Sequence, residues 1–323
     1  MTRTETRTTQ DKSSTSRDLI ARFAESKYFS IVASIDSYRD IDQYLDSGKA
    51  KVAITIPFDF SKNLHIGRPA PLEVVIDGSE SNTATIAQGY IAGIAEAFNR
   101  HQSIVPVAPV IDLRNRVWYN PELKSRNFLI PGLIAIIMSV IIALLISLAV
   151  SREWDRGTME QLISTPVKPV EIVIGKLAPY FVVGFADTVM SVLIATLVLR
   201  VPLRGSVPFL FLVSAIFLFG GLCFGLLISI GARNQLTASQ IAMLTSFLPS
   251  FLLSGFVFTI SNMPAVLQGF TYLVSARYFV SVLKGVFLKA VGFHVLETEV
   301  IFLALYGLAI FLLAVKRLRK RIE

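Results

Sequence analysis

The chain has 323 residues, of which 53% are hydrophobic and only 17% are charged. Together with a mean hydropathy of +0.60, this composition excludes an ordinary soluble enzyme and predicts an integral membrane protein. The formal net charge of +8 does not indicate nucleic-acid binding, because much of the basic excess flanks apolar segments and the C-terminus, where membrane topology explains it.

The N-terminal segment, residues 1–15, is polar and rich in threonine. It contains neither a signal peptide nor a stretch that could span a membrane. We predict that it is disordered.

Residues 16–126 have the periodicity of a soluble α+β domain, because segments with helical spacing of apolar residues alternate with segments of strand-like pattern. Alternating strands and helices predict a small sheet covered by helices. The predicted helices are 17–27, 37–45, 57–64 and 79–100, and the predicted strands are 28–35, 51–56, 71–76 and 103–117.

The run from Asp77 to Asn82 in this domain has two interpretations. It could be a turn that binds an anion or another ligand. We favour the alternative that it caps the following helix through Ser79 or Ser81, since serine is a common N-cap.

The membrane part, residues 127–323, contains five predicted spans. Residues 128–150 carry no charge and would form a helix of about 35 Å, which is long enough to cross a bilayer. Three cations in residues 261–297 disfavour a sixth span there, so we predict an interfacial or re-entrant segment. These cations are Arg277, Lys284 and Lys289. The five predicted spans are 128–150, 175–199, 208–230, 241–260 and 300–315.

A polar connector, residues 152–172, separates the first two spans. Gly157 and Thr158 favour the start of a helix there, and the sequence Ser164-Thr165-Pro166 favours its end. Composition alone favours a solvated loop, but a short amphipathic helix would also fit a groove on a soluble partner. Three apolar residues would share one face of that helix: Met159, Leu162 and Ile163.

Lysine and arginine near the span ends predict the orientation. The side of the membrane that holds the connector and the C-terminal tail has twice as many of them, so we predict that this side is cytoplasmic and that the N-terminal domain is extracytoplasmic. The cations on this side are Arg152, Arg156, Lys168, Lys176, Arg233, Lys316, Arg317, Arg319, Lys320 and Arg321. Those on the other side are Arg200, Arg204, Arg277, Lys284 and Lys289.

The connector also resembles the cytoplasmic signature of ABC-2 type transporter permeases, of the export kind with a large extracytoplasmic domain. The resemblance implies a coupling helix that docks on an ATP-binding subunit. It also implies two roles for the matching residues. Four of them would dock or orient the helix: Gly157, Thr158, Glu160 and Gln161. Three others would fix the return of the chain into the bilayer: Glu171, Gly175 and Lys176. The matching residues are Glu153, Arg156, Gly157, Thr158, Glu160, Gln161, Leu162, Thr165, Pro166, Glu171, Gly175 and Lys176.

Further segments of the chain resemble the same family, from about Asp11 onward. The resemblance implies a permease subunit of an ATP-driven exporter in the bacterial plasma (inner) membrane, with a separate ATP-binding subunit, a second identical or different permease, and a periplasmic adaptor as a candidate partner. The family has a further span before the extracytoplasmic domain, and we expect that this first span is missing from the sequence as written. These segments are Ser16 to Ile20, Ala53 to Pro57, Gly67 to Pro71, Asp77 to Ala84 and Arg277 to Phe279.

The apolar pathway predicts a lipophilic or amphiphilic, drug-like substrate. The alternative function is a membrane-anchored extracytoplasmic binding or sensor module without transport. The sequence contains no GxxxxGK[ST] motif for ATP phosphates and no HExxH zinc motif. We therefore predict that the chain is not an enzyme by itself, binds no metal and uses ATP only through its partner subunit.

Few polar residues lie within the spans. Asp187, in the second span, is either a pathway or helix-contact residue, or a protonated carboxyl that is bonded to Thr188, Ser191 or a neighbouring helix. A strip of small residues in the third span predicts close helix packing. This strip consists of Gly220, Gly221, Gly225 and Ser229.

Overall fold

The computed structural model describes residues 5–9, 11, 13–26, 28–35, 38–102 and 111–319. The chain divides into two compact units, Met1–Phe128 and Leu129–Glu323. Within these described residues, five helices are long and apolar enough to cross a membrane, and a small sheet lies in the N-terminal unit. This architecture confirms the predicted polytopic α-helical membrane protein with an N-terminal α+β region.

The N-terminal unit contains one five-stranded sheet in the order β2-β1-β3-β4-β5. The pairs β1–β2, β1–β3 and β4–β5 are parallel, and β3–β4 is antiparallel. The strands are β1 Glu5–Thr9, β2 Ile31–Ser34, β3 Val52–Ile56, β4 Ala70–Asp77 and β5 Ile111–Trp118. The helices are α1 Ser14–Glu25, α2 Tyr38–Asp46, α3 Phe60–His65 and α4 Ser81–Gln102.

Alternation along the strands sends side chains to two cores. On one face, Ile54 and Val74 belong to a buried cluster that includes Phe23 of α1 and Phe98 of α4. On the other face, a smaller buried cluster joins the sheet to α2. Its members are Ile41, Leu45, Ala50, Ala53 and Val75.

The N-terminus differs from the prediction of disorder for residues 1–15. Residues 5–9 form β1, which pairs with β2 on one side and with β3 on the other. The sequence ETRTT has no apolar alternation, so its strand conformation depends on backbone pairing along both edges. Helix α1 begins at Ser14 and is capped by the Ser13 hydroxyl, which accepts the Ser16 amide at 3.1 Å. Residues 1–4, 10 and 12, and residues 103–110 of the last predicted strand, lie outside the described residues.

The Asp11 carboxylate joins the starts of two helices. It accepts the backbone amide of Ser13 at 2.9 Å and that of Ser61, in the first turn of α3, at 3.0 Å. Burial alone would raise the pKa of Asp11, but hydrogen bonds from Ser61 and Ser13 outweigh this effect and lower it.

The turn before α4 is centred on a buried ion pair. The Asp77 side chain is fully buried, with one carboxylate oxygen 3.6 Å from Lys51 Nζ and the other accepting the Ser79 amide at 2.9 Å. Burial would lower the pKa of Lys51, but Glu80 and Asp77 raise it further than burial lowers it. Asp77 is therefore engaged within the domain, and its bond to the Ser79 amide organises the turn that leads into α4.

The C-terminal unit contains one helix for each of the five predicted spans. Helix α9, Gln235–Leu253, begins and ends earlier than predicted. The Asn234 side chain accepts the Leu236 amide at 2.8 Å at its start, and Gly255 adopts a φ of +79° after its end. The helices are α5 Ser125–Asp155, α7 Pro169–Leu193, which continues as a π-helical turn Ile194–Val198, α8 Val207–Ala232, α9 Gln235–Leu253 and α12 Phe293–Arg319.

Two shorter helices, α10 Ala265–Thr271 and α11 Ser275–Lys284, lie between α9 and α12, and a π-helical turn Gly285–Lys289 extends α11. The axes of the two helices are bent by 84°, which fits the predicted re-entrant segment. Counted as one broken span, the pair would bring the number of spans to six. The Val286 carbonyl in the π-helical turn accepts the Gly205 amide at 2.9 Å, so the turn is fixed to the segment that precedes α8.

Helix α8 packs against its neighbours at glycines. A Cβ added to Gly225 would lie 2.6 Å from the Ala143 carbonyl oxygen of α5, and one added to Gly220 would lie 3.2 Å from Gly307 Cα of α12. Only glycine permits such close backbone approach. The predicted role of the small-residue strip in helix packing is confirmed.

Candidate coupling site

The connector between α5 and α7 forms the predicted short helix, α6 Thr158–Ile163. Helix α5 continues to Asp155, and Gly157, directly before α6, adopts a φ of +72°. This left-handed conformation strains any residue with a Cβ, so glycine is needed at this position. The polar connector is therefore a helix with a defined entry rather than an irregular loop.

The two faces of α6 differ in burial. Met159 is only 1% exposed, and Leu162 and Ile163 are half-buried. Glu160 and Gln161 are exposed on the other side. The apolar face thus packs within the chain, and the face left for a partner is polar.

Side-chain hydroxyls hold both ends of α6. Thr158 Oγ1 donates to the Glu153 carbonyl at 3.2 Å, while Ser164 Oγ donates to the Gln161 carbonyl at 2.7 Å and Thr165 Oγ1 donates to the Leu162 carbonyl at 2.6 Å. These bonds satisfy carbonyls that the helix ends leave free. The predicted helix end at residues 164–166 is therefore confirmed.

Two carboxylates secure the start of α7. Glu171 Oε2 accepts the Lys168 amide at 3.0 Å, which caps the helix. Glu153 of α5 forms an ion pair with Lys176 of α7, and both side chains are largely buried, at 32% and 23% exposure. The structure thus brings together Glu153 and Lys176, two of the residues that carry the family resemblance, although their pairing was not predicted.

Two contacts to the α8–α9 turn were not predicted. The Arg233 guanidinium lies 5.6 Å from the centre of the Trp154 ring, and Asp155 Oδ2 accepts the Gln235 amide at 3.0 Å. The residues are about 80 positions apart in sequence, so no local pattern could pair them.

Other predicted site residues make fewer contacts. The side chain of Arg156 is exposed, as is Pro166. A Cβ added to Gly175 would have no atom within 4 Å among the described residues. Asp187 lies about 16 Å along the α7 axis from Lys176 and is half-buried.

The Thr188 hydroxyl, one of the partners considered for a protonated Asp187, donates to the Gly184 carbonyl at 2.8 Å. Within the described ranges, no three His, Cys, Asp or Glu side chains are placed to hold a metal ion.

Comparison with known families matches residues 5–316 to the family described as ABC-2 family transporter protein. The chain belongs to the ABC-2 transporter family. The match begins at residue 5 rather than near Asp11 as the residue-level resemblance suggested, so it includes β1.

Three relatives from Escherichia coli K12 resemble this ABC-2 chain along most of its length. One, named probable multidrug ABC transporter permease YbhS, is 40% identical over 298 residues, which is 91% of this chain and 79% of the relative. Another, probable multidrug ABC transporter permease YbhR, is 33% identical and covers 87% of this chain and 76% of its own length. Inner membrane transport permease YhhJ is 29% identical, with shares of 88% and 76%.

Membership of the ABC-2 family confirms the predicted class of membrane transport permease. It supports this class over the alternative of a binding module that is merely anchored in the membrane. In ABC transporters with a permease of this kind, a separate subunit hydrolyses ATP. This agrees with the prediction that the chain uses ATP only through a partner subunit.

Proposed function

We propose that this chain is the permease subunit of an exporter in the bacterial inner membrane and that α6 receives the movement of an ATP-binding subunit. The exposed polar face of α6 is the observation that carries the proposal. Because Met159 anchors the other face inside the chain, a protein that binds Glu160 and Gln161 would push on a helix that cannot turn independently.

The surroundings of α6 would pass such a push to the spans. Helix α5 enters α6 through the tight turn at Gly157, and the ion pair of Glu153 with Lys176 joins the ends of α5 and α7. The Asp155 carboxylate at the end of α5 accepts the Gln235 amide and so links α9 to these two helices. A displacement of α6 would therefore move three membrane helices together rather than bend a loop.

The charge at this end of the helices supports a cytoplasmic location. Arg152, Arg156 and Lys168 are exposed around the connector, and Lys316 and Arg317 are exposed at the end of α12. Basic residues at span ends are typical of the cytoplasmic side. With this orientation, the N-terminal domain is extracytoplasmic, where a periplasmic adaptor is a candidate partner.

The substrate that we propose is a lipophilic or amphiphilic, drug-like compound. Two relatives are named as multidrug permeases, and the helices of this chain are strongly apolar. A second permease subunit, identical or different, would complete the pathway. Asp187, as a half-buried acid on α7, is a candidate pathway or helix-contact residue.

Co-purification of the membrane-inserted chain with candidate ATP-binding subunits tests the coupling role. We expect a stable complex whose ATPase activity depends on the permease. Gly157→Pro should abolish this dependence, because proline cannot adopt a positive φ, and Glu160→Lys should weaken the contact by reversing an exposed charge.

The matched control is Glu297→Lys, the same charge reversal at an exposed position near the opposite end of the membrane part. It should leave ATPase coupling unchanged. If no ATP-binding subunit associates, or if Glu160→Lys behaves like Glu297→Lys, then α6 is only a connector and the coupling role is wrong.

A further inference from the structure

Helix α9 is held at its two ends by side chains of opposite charge. At its start, the Asp155 carboxylate of α5 accepts the Gln235 amide at 3.0 Å. Just beyond its end, the Lys284 ammonium of α11 donates to the Gly255 carbonyl at 3.1 Å. An anion therefore lies at the N-terminus and a cation at the C-terminus, which is the arrangement that the helix dipole favours at both ends.

Helix α9 is also bonded to α5 along its length. The hydroxyls of Ser139 and Ser250 lie 2.9 Å apart, and Ser147 Oγ donates to the Ala238 carbonyl at 3.4 Å. With the Asp155 contact, these bonds join the antiparallel helices at three levels. Because α5 leads directly into α6, movement at α6 would shift α9 along with α5.

At its far end, α9 meets the re-entrant pair α10–α11 through Lys284. Helix α11 is well packed, since Phe279 stacks on Phe217 of α8 with ring centres 4.1 Å apart. Helix α10 is more exposed, with Val266 at 73% and Phe270 at 56% exposure. The pair thus combines a fixed part and an exposed part that is joined to it at an 84° bend.

We propose that α9 transmits the displacement of α6 to the re-entrant pair, and that Lys284 is the positioning residue that fastens α9 to this pair. The proposal rests on the coupling role of α6. Asp155 and Lys284 contact opposite ends of α9, about 28 Å apart along its axis, so any energetic coupling between them has to pass through the helix rather than directly between their charges.

The test measures nucleotide-dependent exposure of α10 in the complex with its ATP-binding subunit. A cysteine is introduced by Val266→Cys in a Cys223→Ala background, and its reaction rate with a fluorescent maleimide is compared without nucleotide and after ATP and vanadate trapping. We expect the rate to change on trapping, and we expect Lys284→Met to reduce this change at least fivefold while ATP hydrolysis continues. Lys284→Arg, which keeps the charge, should restore most of it.

Lys316→Met, the same substitution at an exposed lysine of α12, is the matched control and should leave the change intact. A labelling rate that does not respond to nucleotide, or a response that persists in Lys284→Met, would overturn the proposal. Absence of any ATP-binding subunit from the complex would instead contradict the coupling role of α6, so the two failures can be distinguished.

Asp155→Ala provides a second variant at the other end of α9, in case Lys284→Met fails to fold. We expect it to reduce the labelling response as well, and we expect the double variant to lose no more than the stronger single variant. Distant substitutions normally have additive effects, so non-additivity would identify α9 as the shared element. A normal response in Asp155→Ala, or additive losses in the double variant, would show that the two contacts act locally.

Discussion

The carboxylate of Glu153 and the ammonium of Lys176 form an ion pair that joins the end of α5 to the second turn of α7. The two residues lie on either side of α6, near the two ends of the connector. Their pairing explains how a polar segment of this length can present one defined face.

Loss of this ion pair should loosen the connector. We predict that Lys176→Met increases the rate of tryptic cleavage at Arg152 and Arg156 by roughly fivefold, because a partly buried pair contributes about 1 kcal/mol. Limited proteolysis of the detergent-solubilised protein, followed by mass spectrometry, measures this rate. The exchange of both charges, Glu153→Lys with Lys176→Glu, should restore slow cleavage, and a persistent fast rate in the double variant would show that the pair does not hold the connector.

The close contact between α8 and α5 should not tolerate a side chain. We predict that Gly225→Ala costs about 1 to 3 kcal/mol by overpacking, since its Cβ would lie 2.6 Å from the Ala143 carbonyl oxygen. A lower temperature of heat-induced aggregation in detergent would reveal this loss. Gly175→Ala is the matched control, because open space surrounds that position, and equal behaviour of the two variants would contradict the packing argument.

The ion pair in the N-terminal domain should be important for stability. Lys51→Met leaves the fully buried Asp77 carboxylate without its main counter-charge, so we predict a loss of about 3 kcal/mol. Hydrogen exchange of the β3 and β4 amides in the full-length protein would measure this loss as faster exchange. Lys62→Met replaces an exposed lysine of the same domain and should change exchange little; if Lys51→Met has as small an effect, the pair is not stabilising.

Acid should weaken the link between α1 and α3. Because the pKa of Asp11 is lowered in the folded chain from its ordinary 3.8, its charged form stabilises the fold above that pH, and this contribution is lost as the pH falls through the lowered pKa. We predict that the wild type loses more stability between about pH 5 and pH 3 than Asp11→Asn does. Urea titrations at the two pH values test this difference, and parallel losses would refute it.

The sequence alone predicted much of the membrane part, because a long apolar stretch without charges is typical of a membrane-spanning helix. It also predicted α6, since Gly157 and the 164–166 segment are strong local signals for a helix start and end. The alternation of apolar residues in β3 and β4 was equally clear. In each case the decisive information lies within a few residues of the element.

The features that the sequence did not predict depend on residues that are far apart in the chain. β1 has no apolar pattern and is a strand only because β2 and β3 flank it. The contact of Asp155 with Gln235 and that of Lys284 with Gly255 join residues far apart in sequence. The packing of α5, α9 and α11 determines these contacts, and the spacing of residues within one helix cannot reveal them.

The position of β1 within the sheet also affects how quickly the N-terminal domain can fold. Glu5 pairs with Ile31 and with Val52, and β4 pairs with β5, which ends at Trp118. At about 5 to 20 residues per second, a ribosome needs roughly 6 to 23 s to pass from β1 to the end of β5. The first strand is therefore made early and waits for its neighbours, so the five-stranded sheet can close only late in synthesis of the domain, and its long-range parallel pairs predict slow folding.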